Sequence, residues 1–179
     1  MKNVLVFGGS GFLGSYLVSS LLKSNYKVFI ADVKEFKSDF NNNIQFINCD
    51  ILNVEDLKEV FKKNKYDYVY NLAGFANLDK SSESPLLTLN LNVIGNLNIV
   101  EKCLEFNVEK YIYASSAYAM NNKGSYYGIS KLASEKIIEE FHKKKQLNFI
   151  ILRYGSIYSE KPFDNNYIYK LVEDAINLG

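Results

Sequence analysis

Short apolar runs alternate with stretches of helical periodicity along almost the whole chain. Residues 3–7 (NVLVF) are an apolar run that stops at a glycine turn, the pattern of a strand buried on both faces. Residues 12–23 then place Phe12, Leu13, Tyr16, Leu17, Leu21 and Leu22 at helical spacing. Residues 27–31 (KVFIA) give a second strand, ending at Asp32. Strand, helix and strand joined by short links make a parallel βαβ unit. The alternation continues with strands over 44–47, 66–71, 109–114 and 148–153. Helices are predicted over 54–63 (after Asn53), 85–106, 127–145 and 168–178. The 85–106 pattern carries Leu86, Val93, Leu97, Val100 and Leu104 on one stripe. Strands alternating with helices in this way predict an α/β fold, a doubly wound parallel sheet. Such sheets bind ligands at the carboxyl ends of their strands, where the strand order reverses. No linker, repeat or low-complexity tract divides the 179 residues, and 159–166 is the obvious loop-rich tail.

Composition narrows the function classes. An apolar share of 47% and a charged share of 23% are those of a globular domain with a real core. A net charge of +1 supplies no basic field for nucleic acid. No run is long or apolar enough to span a membrane, and the apolar stretch over 5–22 is broken by Gly, Ser and Lys, unlike a secretory signal. Cys49 and Cys103 fall in core segments at no metal-binding spacing, as expected of free thiols in a reducing compartment. The expectation is a cytoplasmic protein with neither a nucleic-acid nor a membrane partner.

The candidate chemistry lies at the strand ends. Gly8, Gly11 and Gly14 have the spacing GxxGxxG between the first strand and the first helix. Glycine allows a tight turn and close backbone approach to a pyrophosphate, and the helix start offers unpaired N–H groups and a positive dipole end. A plain glycine-rich βα turn is the rival reading. Asp32 ends the second strand, about eighteen residues past Gly14, near the spacing expected of a ribose-binding acid. A carboxylate there repels a 2′-phosphate and favours NAD over NADP, although Lys34 and Lys37 leave room for NADP. A strand-end cap is the alternative. Asp50-Ile51 follows the third strand, where the carboxylate meets an adenine amino group or simply makes a turn. Leu72-Ala73-Gly74 follows the fourth, and its small residues let a cofactor lie across the strand ends or form an ordinary loop.

Tyr127 and Lys131 stand four apart at the start of a predicted helix and so share a face. A free Tyr titrates near 10, too high for a base at neutral pH. A neighbouring ammonium, and the positive ring of an oxidised nicotinamide, both favour the phenolate. Tyr127 is then a proton acceptor for a substrate hydroxyl while hydride leaves for the cofactor. Ser116, ending the fifth strand, is placed to bond the same oxygen, whereas alternation turns Ser115 elsewhere. A surface Tyr–Lys pair is the bland reading; its position after Ser115-Ser116 in a dinucleotide fold argues against it. His142, in the charged run 139–145, reads as part of a solvated face.

Together these residues resemble the extended short-chain dehydrogenase/reductases, and among them the NAD-dependent epimerase/dehydratase family acting on nucleotide sugars. The resemblance covers essentially the whole chain and implies an NAD(P)-binding Rossmann fold. Gly8-Gly9-Ser10-Gly11-Phe12-Leu13-Gly14 is similar to the family's GGxGFxG, which implies cofactor contacts at Gly8, Gly11, Phe12, Leu13 and Gly14. Asp32 resembles its ribose acid, Asp50-Ile51 its adenine-site pair, and Leu72-Ala73-Gly74 its post-strand segment. Asn92-Val93-Ile94-Gly95 is similar to the NVxG element, whose Asn organises the site. Ser115-Ser116 resembles the end of the fifth strand, with Ser116 at the catalytic position, and Tyr127 and Lys131 match the YxxxK pair. Leu152-Arg153-Tyr154 resembles the LRY after the sixth strand. By the same resemblance Asn92, Ser115, Tyr127, Lys131 and Tyr154 join the cofactor site.

The departures shape the expected function. Ala117-Tyr118 replaces the acid pair of the family's 4,6-dehydratases, which disfavours elimination of water. Ser116 and Tyr127 are only eleven apart, and Ser156 stands where the family has a phosphate-contacting Asn. The chain ends at Gly179, where the family's C-terminal substrate part begins, and so reads as one NAD(P)-binding domain over 1–179 of a fragment or truncated enzyme. The expected function is NAD-dependent epimerisation of a nucleotide sugar, UDP-glucose 4-epimerase-like, through transient oxidation of a sugar hydroxyl. The alternatives are an NAD(P)-dependent reductase or dehydrogenase on another carbonyl or sugar, and a noncatalytic dinucleotide-binding module. The resemblance also implies a homodimer through a four-helix bundle built from 85–106 and 127–145.

Overall fold

In the computed structural model, which describes residues 1–36, 44–120, 124–159 and 167–178, the apolar runs form one parallel sheet. Lys37 and most of the 159–166 tail lie outside the described residues. The strands are β1 (Asn3–Phe7), β2 (Lys27–Asp32), β3 (Ile44–Asn48), β4 (Tyr68–Asn71), β5 (Lys110–Ser116) and β6 (Phe149–Tyr154). Their order is β3-β2-β1-β4-β5-β6. It reverses between β1 and β4, so the chain leaves those neighbouring strands in opposite directions and opens a crevice at their carboxyl ends. The register sets Phe7 beside both Ala31 and Asn71, and Ser116 beside Tyr154. The whole dinucleotide-motif set is thereby brought to one edge.

Burial on both faces explains the unbroken apolar strands. In β1, Val4 and Val6 enter one core with Val18, Val28 and Ile30, while Leu5 and Phe7 enter the other with Phe29, Phe61, Tyr111 and Ile138. Each such side chain contributes roughly 1.5–3 kcal/mol by leaving water. Helix α1 (Phe12–Lys23) buries Gly14, Val18 and Leu21, and α2 (Val54–Lys63) buries Leu57, Val60 and Phe61. Asn53 caps α2 by accepting from the Glu55 and Asp56 amides, and acids in its first turn with Lys62 and Lys63 in its last match the helix dipole.

Beyond β4 the structure departs from the periodicity. A short helix not predicted from the sequence, α3 (Leu78–Glu83), starts at an Asn77 cap. The predicted 85–106 helix is divided into α4 (Pro85–Leu89), a π-turn (Asn90–Ile94) and α5 (Gly95–Glu105). The wide turn shifts the helix face, so the expected stripe is buried only in part: Leu86 is 72% exposed, Val100 is buried and Leu104 packs against the core, and Asn92, Asn96, Ile99 and Cys103 face inward beside them. A 3₁₀ turn (Ala117–Met120) leads to α6 (Ser125–Lys145), and α7 (Tyr167–Leu178) closes the described chain. Among the described residues no helix is long and apolar enough to cross a membrane, and no cluster of His, Cys, Asp and Glu could hold a metal ion. Cys49 and Cys103 are buried free thiols.

Candidate active site

A cleft of about 270 Å³ opens at the strand reversal, lined by Gly8, Gly11, Asp32, Asp50, Ile51, Leu72, Ala73 and Gly74. All eight belong to the sequence motifs. Ala31, Val33, Lys34, Cys49 and Leu91 complete the wall; they follow from the strand ends once the order is known, but carry no motif. Phe12, Leu13 and Gly14 open α1 and do not line the cleft.

Steric demand explains the glycines. Gly8 has φ +74°, and a Cβ there would lie 2.6 Å from the Ala73 nitrogen. At Gly14 a Cβ would lie 2.2 Å from the Gly8 carbonyl oxygen and 2.7 Å from the Gly9 Cα. The turn thus folds onto the start of α1, whose Gly11 N-cap makes no side-chain bond to the free amides. The Ser10 hydroxyl is buried in this turn with no protein partner. Exposed helix amides, a buried unpaired hydroxyl and backbone stripped of side chains fit a dinucleotide pyrophosphate.

Asp32 serves the turn as well as the cleft. Its Oδ2 accepts from the Ser10 amide and its Oδ1 from the Lys34 amide, both at 3.0 Å. Each oxygen keeps a second lone pair, enough for a ribose hydroxyl. The cap reading and the ligand reading of this residue are therefore compatible. Asp50 likewise makes the turn, accepting from the Leu52 amide at 2.9 Å, while lining the cleft. Ile51 is buried against Gly95, where a Cβ would come within 2.5 Å of its Cδ1.

Asn92 ties the cleft to α6. Its Oδ1 accepts from the Phe75 amide at 2.7 Å, and its Nδ2 donates to the Phe75 carbonyl at 3.0 Å and the Ser130 hydroxyl at 2.8 Å. Its backbone carbonyl accepts from the Ser134 hydroxyl at 2.7 Å. With its amide fully engaged by protein, Asn92 acts as an organiser.

Ser116, Tyr127 and Lys131 converge, with Lys131 beside Gly74. Lys131 is 6% exposed, and its Nζ donates to the Ala114 carbonyl at 2.9 Å. That nitrogen lies 4.9 Å from the Tyr113 ring centre and 5.8 Å from that of Tyr127. A Cβ on Gly74 would sit 4.0 Å from it, so the ammonium borders the loop that lines the cleft. Ser116 is buried; its hydroxyl takes the Tyr118 amide at 3.3 Å and lies near the Tyr127 phenol. Burial pushes the Tyr127 phenol above its ordinary range, with Ser116 opposing and Tyr118 reinforcing the rise. Burial also lowers Lys131 from 10.5 to about 8, against the pull of Glu135. Desolvation thus raises Tyr127, opposite to the lowering expected from the ammonium.

Other residues separate from the site. Ser115 turns away from Ser116, as strand alternation requires, and donates to the Glu135 carboxylate. Tyr154 is half-buried at the end of β6 beside Ser116 and does not line the cleft. His142 contacts the Leu147 carbonyl at 2.8 Å and the edge of Phe149, far along α6. Glu135 gives no signal in the sequence, because a helical Glu reads as solvated and its partners lie on two strands.

A parallel sheet whose strand order reverses at a glycine turn, with a Ser–Tyr–Lys cluster on the neighbouring β5 and α6, defines a Rossmann-type dinucleotide-binding fold. Comparison with known proteins sharpens this. The model of the NAD dependent epimerase/dehydratase family matches residues 4–177, and the chain belongs to that family. It is 31% identical over 174 residues to a putative UDP-glucose 4-epimerase of Methanocaldococcus jannaschii, covering 88% of this chain and 57% of that one. Its fold matches UDP-glucose 4-epimerases of Thermotoga maritima, solved with UDP-glucose, and Thermus thermophilus, solved with NAD. In both cases the TM-score is 0.84 at 28% identity, covering 95% of this chain and 61% of the other. The chain spans about half the length of the curated relatives it matches.

Proposed function

We propose that this chain is the NAD-binding part of a nucleotide-sugar epimerase, UDP-glucose 4-epimerase-like. One observation carries the reading: Tyr127 lies against Ser116 and Lys131, and Lys131 borders the Gly74 loop of the cleft that contains Asp32 and the glycine turn. NAD, when bound, supplies a hydride acceptor and returns the hydride. Gly8, Gly11 and the first amides of α1 hold its pyrophosphate, and Asp32 its ribose hydroxyls, which selects against a 2′-phosphate. Tyr127 takes the proton of the sugar hydroxyl at its phenolic oxygen and later gives it back. Ser116 holds the same oxygen, and the Lys131 ammonium favours the phenolate. Residues 1–179 form the dinucleotide domain, in a cytoplasmic enzyme. Exposed Leu86, Leu87, Ile94 and Ile129 on α4, the π-turn and α6 support a homodimer through these helices.

The test is turnover of UDP-galactose to UDP-glucose by the full-length protein without added cofactor, with NAD released on denaturation. Tyr127→Phe is expected to lose at least 100-fold in kcat while retaining NAD. Net consumption of external cofactor would instead identify a reductase. Activity that survives Tyr127→Phe would refute the proposed role of that residue.

A further inference from the structure

Lys131 and Glu135 are one turn apart on α6, and both are buried, at 6% and 0% exposure. A buried carboxylate in mid-helix is costly unless fully partnered. Here Ser115 donates to it from β5, and Arg153 grips it from β6, Nε at 2.9 Å and Nη2 at 2.6 Å. Ser115 and Arg153 are register neighbours. The preceding residue, Ala114, is the one whose carbonyl receives the Lys131 ammonium. One short segment, 114–116, thus fastens Lys131 and Glu135 and presents Ser116 to Tyr127.

We propose that Glu135 is a positioning residue: anchored by Ser115 and Arg153, it keeps Lys131 charged and fixed at the border of the cleft. The inference rests on the role given to Lys131 above. Glu135 places a negative charge one turn from the ammonium, which opposes the effect of burial on Lys131. Arg153 acts on the same carboxylate from the solvent side, its own side chain 41% exposed. The other ionisable groups around the pair are Tyr113 on β5, Tyr118 on the 3₁₀ turn, and Tyr127, Lys136 and Glu139 on α6, where Lys136 pairs with Glu139. Helix α4 and the π-turn contain no titratable residue. Asp79, Lys80 and Glu83 of α3 and Glu101 and Glu105 of α5 are exposed, Lys102 pairs with Glu105, and Cys103 is buried in the core.

The experiment is an NMR titration of the Lys131 side chain in the full-length protein, its signal assigned by its loss in Lys131→Arg. Glu135→Gln is expected to lower the Lys131 midpoint by about one pH unit. Arg153→Met leaves the carboxylate in place without its competing cation, and is expected to leave the midpoint unchanged or raise it. A purely structural pair moves both variants the same way, so parallel downward shifts, or no shift in Glu135→Gln, overturn the proposal. If Glu135→Gln does not fold, the paired Glu135→Gln/Arg153→Gln variant is titrated; a smaller downward shift supports the proposal and none overturns it. In the NAD-loaded enzyme the high-pH limit of turnover should follow the same order. Wild-type protein without epimerase turnover, but with these shifts, would refute the proposed function and leave the positioning role intact.

Discussion

Replacing Gly14 by Ala puts the steric reading of the glycine turn at risk. The added Cβ would sit 2.2 Å from the Gly8 carbonyl oxygen and 2.7 Å from the Gly9 Cα, both backbone atoms that no rotamer change can move. Overpacking of this kind costs about 1–3 kcal/mol, set against about 1 kcal/mol gained because Ala is the better helix former. The net loss of about 0–2 kcal/mol should lower the melting temperature by up to roughly 8 °C. The overlap is relieved only by pushing α1 away from the turn, so the amides proposed to face the pyrophosphate move with it. NAD affinity, measured by calorimetry, should fall at least tenfold, equivalent to about 1.4 kcal/mol. Two graded controls accompany it. At Gly11 a Cβ would come no nearer than 3.3 Å to the Gly8 oxygen, so Gly11→Ala should be milder. At Gly155 it would meet nothing within 4 Å, so Gly155→Ala should leave stability within about 0.5 kcal/mol. Unchanged NAD affinity in Gly14→Ala, or equal damage from Gly155→Ala, would refute the reasoning.

Asp32→Ala removes the acceptor of the Ser10 and Lys34 amides as well as the proposed ribose contact; NAD binding should weaken by at least tenfold while the preference for NAD over NADP shrinks, checked by competing the two cofactors. Lys131→Met should be more stable than wild type at pH 7, by about 2 kcal/mol in urea denaturation, yet inactive. Burial lowers Lys131 from 10.5 to about 8, so between those values the unfolded chain binds more protons and native stability rises with pH. Below that window the full penalty of burying the ammonium is present, roughly 3 kcal/mol less the value of its contact with Ala114. The Met variant should lose the rise between pH 8 and 10.5, and a variant that keeps it would contradict the assignment.

The strands are legible in the sequence because burial on both faces leaves little but apolar residues in them, as in β1 and β2. The glycine turn and Asp32 are legible because backbone geometry dictates residue type there. The 85–106 stretch misleads because its buried face is lined by Asn92, Asn96 and Cys103 as much as by aliphatic residues, and a π-turn breaks the 3.6 period. Helix α3 escapes because six residues carry too little periodicity and only the Asn77 cap marks its start. Glu135 is invisible for a different reason: its burial is created by Ser115 and Arg153, residues brought to it only by the sheet. The direction of the Tyr127 shift is likewise beyond local spacing, since desolvation depends on everything packed around the ring.

The four hydrogen bonds of Asn92 make the distance between the cleft and the Tyr127–Lys131 pair a single mechanical quantity. The loop after β4, the π-turn and the first turns of α6 are tied together through this one residue. Swapping α6 between relatives without its π-turn would transplant Tyr127 and Lys131 but leave behind the gauge that sets their reach.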